Sequence, residues 1–311
     1  MRVLVTGGCG FLGHAVVRAL LDDGHQPVVM SSRGDAKPTE GAELVVADLR
    51  NLQQTNEAVS AATVDAVCHL AALTRVRDSF ERPLDYFDVN TSGTMNLLRS
   101  LEGVPVAFAS TGAVYGPCEG RIVEAQVPAP TNAYGASKLA AEAVLRFQAK
   151  TGRVGVTVLR CFNMSGAVDG VGDNDLSRVI PKSLAVAAGQ APCLQMNGDG
   201  SALREFSHVA DVARALVIAL GATKLGEFRL YNVGSGIECS MAEVVQTVHE
   251  VTDRDVPVEH RPPQPEPQVL SADSSALRRD LGWKPRYVNL RELIVDAWQV
   301  VNLPQVATSG A

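Results

Sequence analysis

At 311 residues the chain has room for one large α/β domain, or for a nucleotide-binding domain with a smaller one beside it. Hydrophobic residues make up 46% and the formal net charge is −6, so the surface as a whole attracts neither nucleic acid nor an anionic membrane. Six scattered cysteines without a Cys-x-x-Cys pair and six histidines without ligand spacing argue against a disulfide framework and a metal centre.

In chain order, Arg2–Thr6 reads as a first strand, followed by a helix from about Phe11 to Asp22. Pro27–Met30, Glu43–Ala47, Ala66–Leu70, Val104–Ser110 and Val156–Phe162 read as further buried strands. Between them Gln53–Ala61, Pro83–Leu101 and Ala133–Thr151 have helical periodicity, and this alternation predicts a parallel sheet with covering helices. After Phe162 the pattern breaks into a Gly/Asp-rich stretch, Ser165–Asp175, and a loop centred on Gly198-Asp199-Gly200. A helix near Val209–Leu220 and a strand at Arg229–Val233 resume the first pattern, so the second domain is expected to interleave with the first. The expected division is a dinucleotide-binding domain over 1–162, rejoined near 207–236, and a substrate domain mainly over 163–302. Pro257–Pro267 is too proline-rich for a regular helix, and 303–311 is expected to be a loose tail.

Gly7, Gly10 and Gly13 stand at G-x-x-G-x-x-G spacing between the first strand and helix. The first permits a tight turn, the second lets backbone approach a pyrophosphate, and the third lets helix and strand pack closely. The free N–H groups of a helix beginning at Phe11 and Leu12 would face that pyrophosphate. The second strand ends in Ser31-Ser32-Arg33, where NAD-specific sites commonly carry an acid for the ribose 2′-hydroxyl. Two hydroxyls and a guanidinium suit a 2′-phosphate, so NADP is favoured slightly over NAD; a solvated turn, with Asp35 or water at the hydroxyl, is the plainer reading. Asp48-Leu49 could meet the adenine, or Asp48 could cap a helix.

Tyr134 and Lys138 are one helical turn apart on one face. An ammonium there could lower a phenol's pKa from ~10 toward neutrality and make it a proton-transfer group. The pair follows a strand that ends in two hydroxyls, Ser110 and Thr111.

With Leu70-Ala71-Ala72, Asn90-Thr91-Ser92-Gly93-Thr94, Leu159-Arg160-Cys161-Phe162-Asn163, Arg204-Glu205-Phe206-Ser207-His208-Val209 and Leu281-Gly282-Trp283, these motifs make a resemblance from Arg2 to about Trp298. The chain resembles the extended short-chain dehydrogenase/reductases of the NAD-dependent epimerase/dehydratase family, and among them the UDP-glucose 4-epimerases. The resemblance implies a Rossmann-like doubly wound parallel sheet with a smaller interleaved C-terminal substrate domain. It implies Tyr134 as base and acid, Lys138 as its electrostatic partner, and Thr111 as the hydroxyl bridging Tyr134 to the sugar. Leu70, Ala71 and Ala72 would lie on the cofactor, and Asn90 would order the active-site helix. Asn163 would bind the diphosphate or sugar, and Arg204 and Arg261 would clamp the diphosphate. The plainer alternatives are a strand-end cap for Thr111, a turn for Asn163 and surface charges for the arginines.

Family members that dehydrate or decarboxylate sugars typically carry side-chain acids or bases directly after the threonine. This chain has Gly112 and Ala113, which argues against elimination of water and for a nucleotide-sugar 4-epimerase of the UDP-glucose or UDP-glucuronate type. An NADPH-dependent 4-ketoreductase of deoxysugar nucleotides is the alternative, and a non-catalytic dinucleotide sensor a remoter one. Arg77 could pair with a C6 carboxylate or be a solvated helix-end charge. A homodimer through the helices at Pro83–Leu101 and Ala133–Thr151 is a further implication of the resemblance. No signal-like N-terminus and no apolar run near the ~18 residues of a membrane span are read, and reduced thiols suit the cytoplasm.

Overall fold

The computed structural model describes residues 1–118, 120–263 and 268–301. Its first half alternates β1 (Arg2–Thr6), α1 (Phe11–Asp22), β2 (Gln26–Ser31), β3 (Glu43–Val46), α2 (Leu52–Ala62) and β4 (Ala66–His69). A helical run follows: α3 (Val76–Glu81), α4 (Pro83–Phe87), a π-helical turn (Asp88–Ser92) and α5 (Gly93–Arg99). Next come β5 (Val104–Thr111), a 3₁₀ turn (Gly112–Tyr115), β6 (Gly120–Ile122), α6 (Ala133–Lys150) and β7 (Val154–Cys161).

The pattern then shortens to β8 (Asn163–Ser165), β9 (Ala167–Val168) and β10 (Val171–Gly172) before α7 (Val179–Ala187), β11 (Leu194–Asn197), β12 (Leu203–His208) and α8 (Val209–Ala222). The remainder is β13 (Phe228–Val233), β14 (Glu238–Ser240), α9 (Met241–Thr252), β15 (Val258–Arg261), β16 (Val269–Ala272), α10 (Ser275–Leu281) and α11 (Leu290–Val301). The proline-rich stretch thus contains β15; its 264–267 and the expected tail at 303–311 lie outside the described residues.

Seven parallel strands form one sheet in the order β13-β7-β5-β4-β1-β2-β3. The order reverses direction at β1, which is where an open doubly wound sheet leaves a crevice at the carboxyl ends of its strands. Alternation along β1 sends Val3 and Val5 to one face, packed with Val16, Val17 and Leu216 of α1 and α8, and Leu4 to the other, with Phe108, Leu97 and Leu145. Each such buried aliphatic or aromatic side chain contributes roughly 1.5–3 kcal/mol. Both faces are covered, which explains why these strands read as unbroken apolar runs.

Beyond β7 a second apolar cluster joins α7, α9 and α11 through Leu184, Val244, Leu293 and Ile294. Beside it β14, β12, β16 and β6 form a second sheet, with β8 also paired to β12. The stretch Pro83–Leu101, expected as one helix, is interrupted at Asp88–Ser92. At this turn Thr94 Oγ1 donates to the Asn90 carbonyl at 2.6 Å, and the Asn90 side chain is drawn to two segments distant in sequence, at Leu73 and Ser137. Among the described residues no helix is long and apolar enough to cross a membrane.

Candidate active site

A cleft of about 760 Å³ opens at the carboxyl ends of β1, β4 and β5, lined at one end by Gly7, Gly10, Phe11 and Leu12. Gly7 adopts φ +73°, and a Cβ there would lie 2.8 Å from the Ala71 nitrogen. A Cβ on Gly13 would fall 2.0 Å from the Gly7 carbonyl, so strand and helix meet only because that position has no side chain. Gly10 precedes α1 without any side-chain cap, and the first helical bond runs from His14 N to Gly10 O at 2.8 Å. Among the described residues the N–H groups of Phe11, Leu12 and Gly13 therefore have no acceptor. Orphan donors at a helix N-terminus, over backbone bared by glycine, fit the pyrophosphate of a dinucleotide.

Ser31, Ser32 and Arg33 line the same cleft, with Arg33 exposed and its N–H donated to Ser31 Oγ at 3.1 Å. Asp48 and Leu49 also face it. The Arg50 guanidinium, through Nη2 at 2.6 Å and Nε at 3.1 Å from both oxygens, and the Arg50 N–H at 2.9 Å hold the Asp48 carboxyl below its usual range. Asp48 does not cap α2; Asn51 does, accepting from Gln54 N at 3.1 Å.

Leu70, Ala71 and Ala72 form the cleft wall after β4. Thr6 Oγ1 accepts the N–H of Leu70 (3.1 Å) and of Ala71 (3.2 Å), and donates to His69 Nδ1 at 2.7 Å. Burial, with Lys138 nearby, lowers the His69 pKa to about 3, so the ring is neutral. Thr94 has already given its proton to Asn90 O, so His69 Nε2 donates to Thr94 Oγ1 at 2.8 Å. Asn90 continues the network: its Oδ1 accepts from Leu73 N (2.8 Å) and its Nδ2 donates to Leu73 O and Ser137 Oγ (3.0 Å each). Asn90 thus ties the wall after β4 to α6 at a residue lying between Tyr134 and Lys138.

Tyr134 and Lys138 both line the cleft from α6, whose N-cap Asn132 accepts from Gly135 N at 2.8 Å. Thr111, at the end of β5, is near enough to the Tyr134 phenol to lower its pKa, though it does not itself line the cleft. The Thr111 Oγ1 accepts from Ala113 N at 3.1 Å, so the same hydroxyl caps the turn that follows. Lys138 is 2% exposed and its Nζ sits 3.9 Å from the centre of the Phe108 ring. Burial, opposed by Glu142, brings the lysine down to about pKa 7.

The expectation that Lys138 pulls the phenol toward neutrality needs correction for the protein by itself. Burial raises the Tyr134 pKa, and the opposing influences are Thr111 and the charge of Arg178, not Lys138.

Arg77 is exposed on α3 and does not line the cleft. The arginines that do, beside Tyr134 and Lys138 in the lining, are Arg75, Arg82 and Arg178, together with Asp173 and Asp175. Arg75 is the N-cap residue of α3, and the helix then carries Arg77 out to solvent. Arg261 lines a separate cavity of about 830 Å³ with Gly198 and His260, and Arg204 lines neither. Arg204 Nη1 donates to Leu203 O at 2.9 Å. Asn163 is exposed and donates to Glu205 O at 3.0 Å, also outside the cleft lining. Asn163, Arg204 and Arg261, like Thr111, are therefore not among the residues that line the cleft with Tyr134.

The sequence pattern of the NAD dependent epimerase/dehydratase family matches residues 3–234. The chain belongs to that family. It is 34% identical to a UDP-glucose 4-epimerase of Corynebacterium glutamicum, over 96% of this chain and 95% of that one. The solved UDP-glucose 4-epimerase of Stenotrophomonas maltophila, with bound NAD and formylated UDP-arabinopyranose, superposes with a TM-score of 0.89 at 32% identity, covering 96% of this chain and 97% of that one. MoeE5 in complex with UDP-glucuronic acid and NAD gives 0.85 at 29% identity, covering 97% and 99%. The family's fold and its nicotinamide dinucleotide account for the glycine cradle and the seven-stranded sheet. Sequence reasoning had not found His69, Arg75, Asp173, Asp175 and Arg178. Arg75 stands two residues before Arg77, and Asp173 and Asp175 lie in the Gly/Asp-rich stretch the sequence marks at Ser165–Asp175.

Proposed function

We propose that the protein is a nucleotide-sugar 4-epimerase of the UDP-glucose or UDP-glucuronate type. The observation that carries this reading is Tyr134 with Lys138 in a cleft whose far end is a dinucleotide cradle, with Thr111 close enough to lower the phenol's pKa and followed by two residues, Gly112 and Ala113, that can neither donate nor accept a proton by side chain. Elimination needs such groups; inversion at C4 needs only one proton-transfer group. The Tyr134 oxygen takes the proton of the C4 hydroxyl and returns it after the sugar has turned. Thr111 holds the phenol oxygen toward the substrate. Lys138 in its charged form offsets the negative charge that develops on the phenol. Bound, the oxidised dinucleotide supplies a hydride acceptor and a cationic ring, and it is regenerated within each turnover.

We assign the cofactor's 2′ position to Ser31, Ser32 and Arg33. Their chemistry favours NADP, whereas the two solved relatives named above hold NAD. That set is the observation favouring the second reading, an NADPH-dependent 4-ketoreductase using the same Tyr134, Lys138 and Thr111. Within the epimerase reading, residues 1–162 with 207–236 hold the cofactor and 163–302 mainly the sugar nucleotide. Phe80, Leu84, Phe87 and Phe147 expose apolar side chains on α3, α4 and α6, which are packed together. Such a face suits a second copy of the chain, giving a homodimer that sedimentation would detect. Six free thiols suit the reducing cytoplasm.

The test is incubation with UDP-glucose, UDP-glucuronate, UDP-N-acetylglucosamine and dTDP-glucose without added reductant. Chromatography that resolves C4 epimers should show a new epimer. Conversion only of 4-keto sugars, with NADPH, would establish the ketoreductase instead.

A further inference from the structure

The Lys138 ammonium is buried, yet among the described residues its Nζ makes no hydrogen bond and no ion pair. The carboxylate one turn further along α6 is committed elsewhere. Glu142 gives one oxygen to Arg160 and Ser110 and the other to Arg160. What the cation faces on the protein side is the Phe108 ring, whose centre lies 3.9 Å from Nζ. The sheet puts that ring there: Phe108 sits in β5 between its register partners His69 of β4 and Val158 of β7, wholly buried in the cluster that α6 covers with Leu145 and Ala149.

The groups around this corner leave the contact little competition. His69 is the neighbouring ring, 5.4 Å from Phe108 between centroids, and it is locked neutral. Thr6 Oγ1 has both lone pairs taken by the N–H groups of Leu70 and Ala71, so its hydrogen goes to His69 Nδ1 and blocks a second proton there. Cys161 of β7 is a neutral thiol, pushed up to about 12 by burial, and burial likewise keeps the Tyr134 phenol protonated. Arg178 of α7 acts on that phenol. Glu142 supports the lysine's charge, but Arg160 holds it in a two-point pair. Burial meanwhile works against the ammonium and brings the lysine down to about 7. An aromatic face carries the negative end of the ring quadrupole, and its attraction for a cation is greatest where water is excluded.

We propose that Phe108 is a positioning residue for the reaction: its ring face holds the Lys138 ammonium in place one turn from Tyr134 and favours its charged form. The inference rests on the reading of Lys138 as the cation that offsets charge on the Tyr134 phenol. An aliphatic side chain would fill the same core but leave the ammonium against hydrocarbon.

Two replacements separate this role from packing. Phe108→Leu keeps the core apolar and removes the ring. Pentafluorophenylalanine, inserted in place of Phe108 by codon suppression, keeps the ring's outline and reverses the charge on its face. Carbon NMR of the lysine ε-methylenes in the full chain reads the Lys138 pKa, with Lys138→Met assigning the signal. A kcat profile for C4 epimerisation of UDP-glucose and UDP-glucuronate reads the consequence. Both replacements should lower the Lys138 pKa by about one pH unit. A group needed in its charged form acts below its pKa, so the alkaline fall in kcat should move down equally. Turnover on that limb should then be roughly tenfold lower, while the acid side stays close to wild type. If Phe108→Leu does not fold, the fluorinated ring gives both readings at nearly native shape. An unmoved Lys138 pKa in the fluorinated protein would overturn the inference. So would a kcat lowered by the same factor at every pH, which is what a merely structural defect produces. No epimerisation of either sugar by wild type would remove the epimerase reading, and the NMR titration would still decide whether Phe108 holds the cation.

Discussion

Glu142→Gln tests how the core beneath the cleft supports the chemistry within it. Glu142 is 2% exposed and Arg160 3%, and they form a two-point pair: Arg160 Nε to Oε1 at 3.0 Å and Nη2 to Oε2 at 2.6 Å. Ser110 Oγ adds a third bond to Oε1 at 2.5 Å, and the guanidinium lies 4.6 Å over the Tyr115 ring. Gln keeps the shape but removes the charge, leaving Arg160 buried without a counter-ion. Breaking a buried pair in this way costs about 3–5 kcal/mol. At about 2–4 °C per kcal/mol, the midpoint of thermal unfolding should fall by roughly 6–20 °C. The second consequence is electrostatic. Glu142 follows Lys138 by one turn and holds up a lysine that burial has already brought to about 7. Without it Lys138 loses its proton at lower pH. A group needed in its charged form acts below its pKa and fails as pH rises through it, so the alkaline fall in kcat should move to lower pH. Scanning calorimetry and a kcat profile from pH 6 to 9 read the two effects. A midpoint within ~2 °C of wild type would refute the ion-pair argument, and an unmoved alkaline limb would refute the coupling to Lys138.

Four further outcomes are expected. Lys138→Met should abolish most activity yet stabilise the cofactor-free protein at pH 6, measured by urea denaturation. Unfolding returns Lys138 from about 7 to its ordinary 10.5, so the unfolded chain binds more protons between those values. Wild-type stability should therefore rise from pH 7 toward 10, and the variant should lack that slope. Gly13→Ala should weaken dinucleotide binding at least ~10-fold by calorimetric titration, because its Cβ would stand 2.0 Å from Gly7 O; unchanged affinity would mean the turn does not hold the cofactor. Tyr134→Phe should lower turnover by at least ~10²-fold with the cofactor still bound, and full activity would remove Tyr134 from the mechanism. Ser31→Asp should shift the affinity ratio toward NAD, and a constant ratio would show that the 2′ position is read elsewhere.

What the sequence made legible was whatever short-range pattern controls. The glycine spacing and the apolar run before it marked β1 and α1 at the bounds the structure has, because turn, strand and helix there are dictated by neighbours. Tyr134 and Lys138 were legible for the same reason, as a spacing on one helix. The π-helical turn at Asp88–Ser92 was not, since it is set by Asn90 reaching Leu73 and Ser137, segments distant in sequence. That Arg75 rather than Arg77 lines the cleft was not legible, because α3 is a six-residue helix whose register no periodicity could fix. The protonation states were beyond reach altogether: the shifts of His69, Tyr134 and Lys138 come mainly from burial, which only the assembled fold supplies.

The central claim is that C4 is inverted by a hydride that leaves and returns within one active site. The most direct measurement uses UDP-glucose and UDP-glucuronate deuterated at C4, incubated in ordinary water with no added reductant and analysed by mass spectrometry and proton NMR. The account predicts a C4 epimer that keeps its deuterium at C4. An epimer that has exchanged deuterium for solvent hydrogen, or a free 4-keto sugar accumulating in its place, would contradict it.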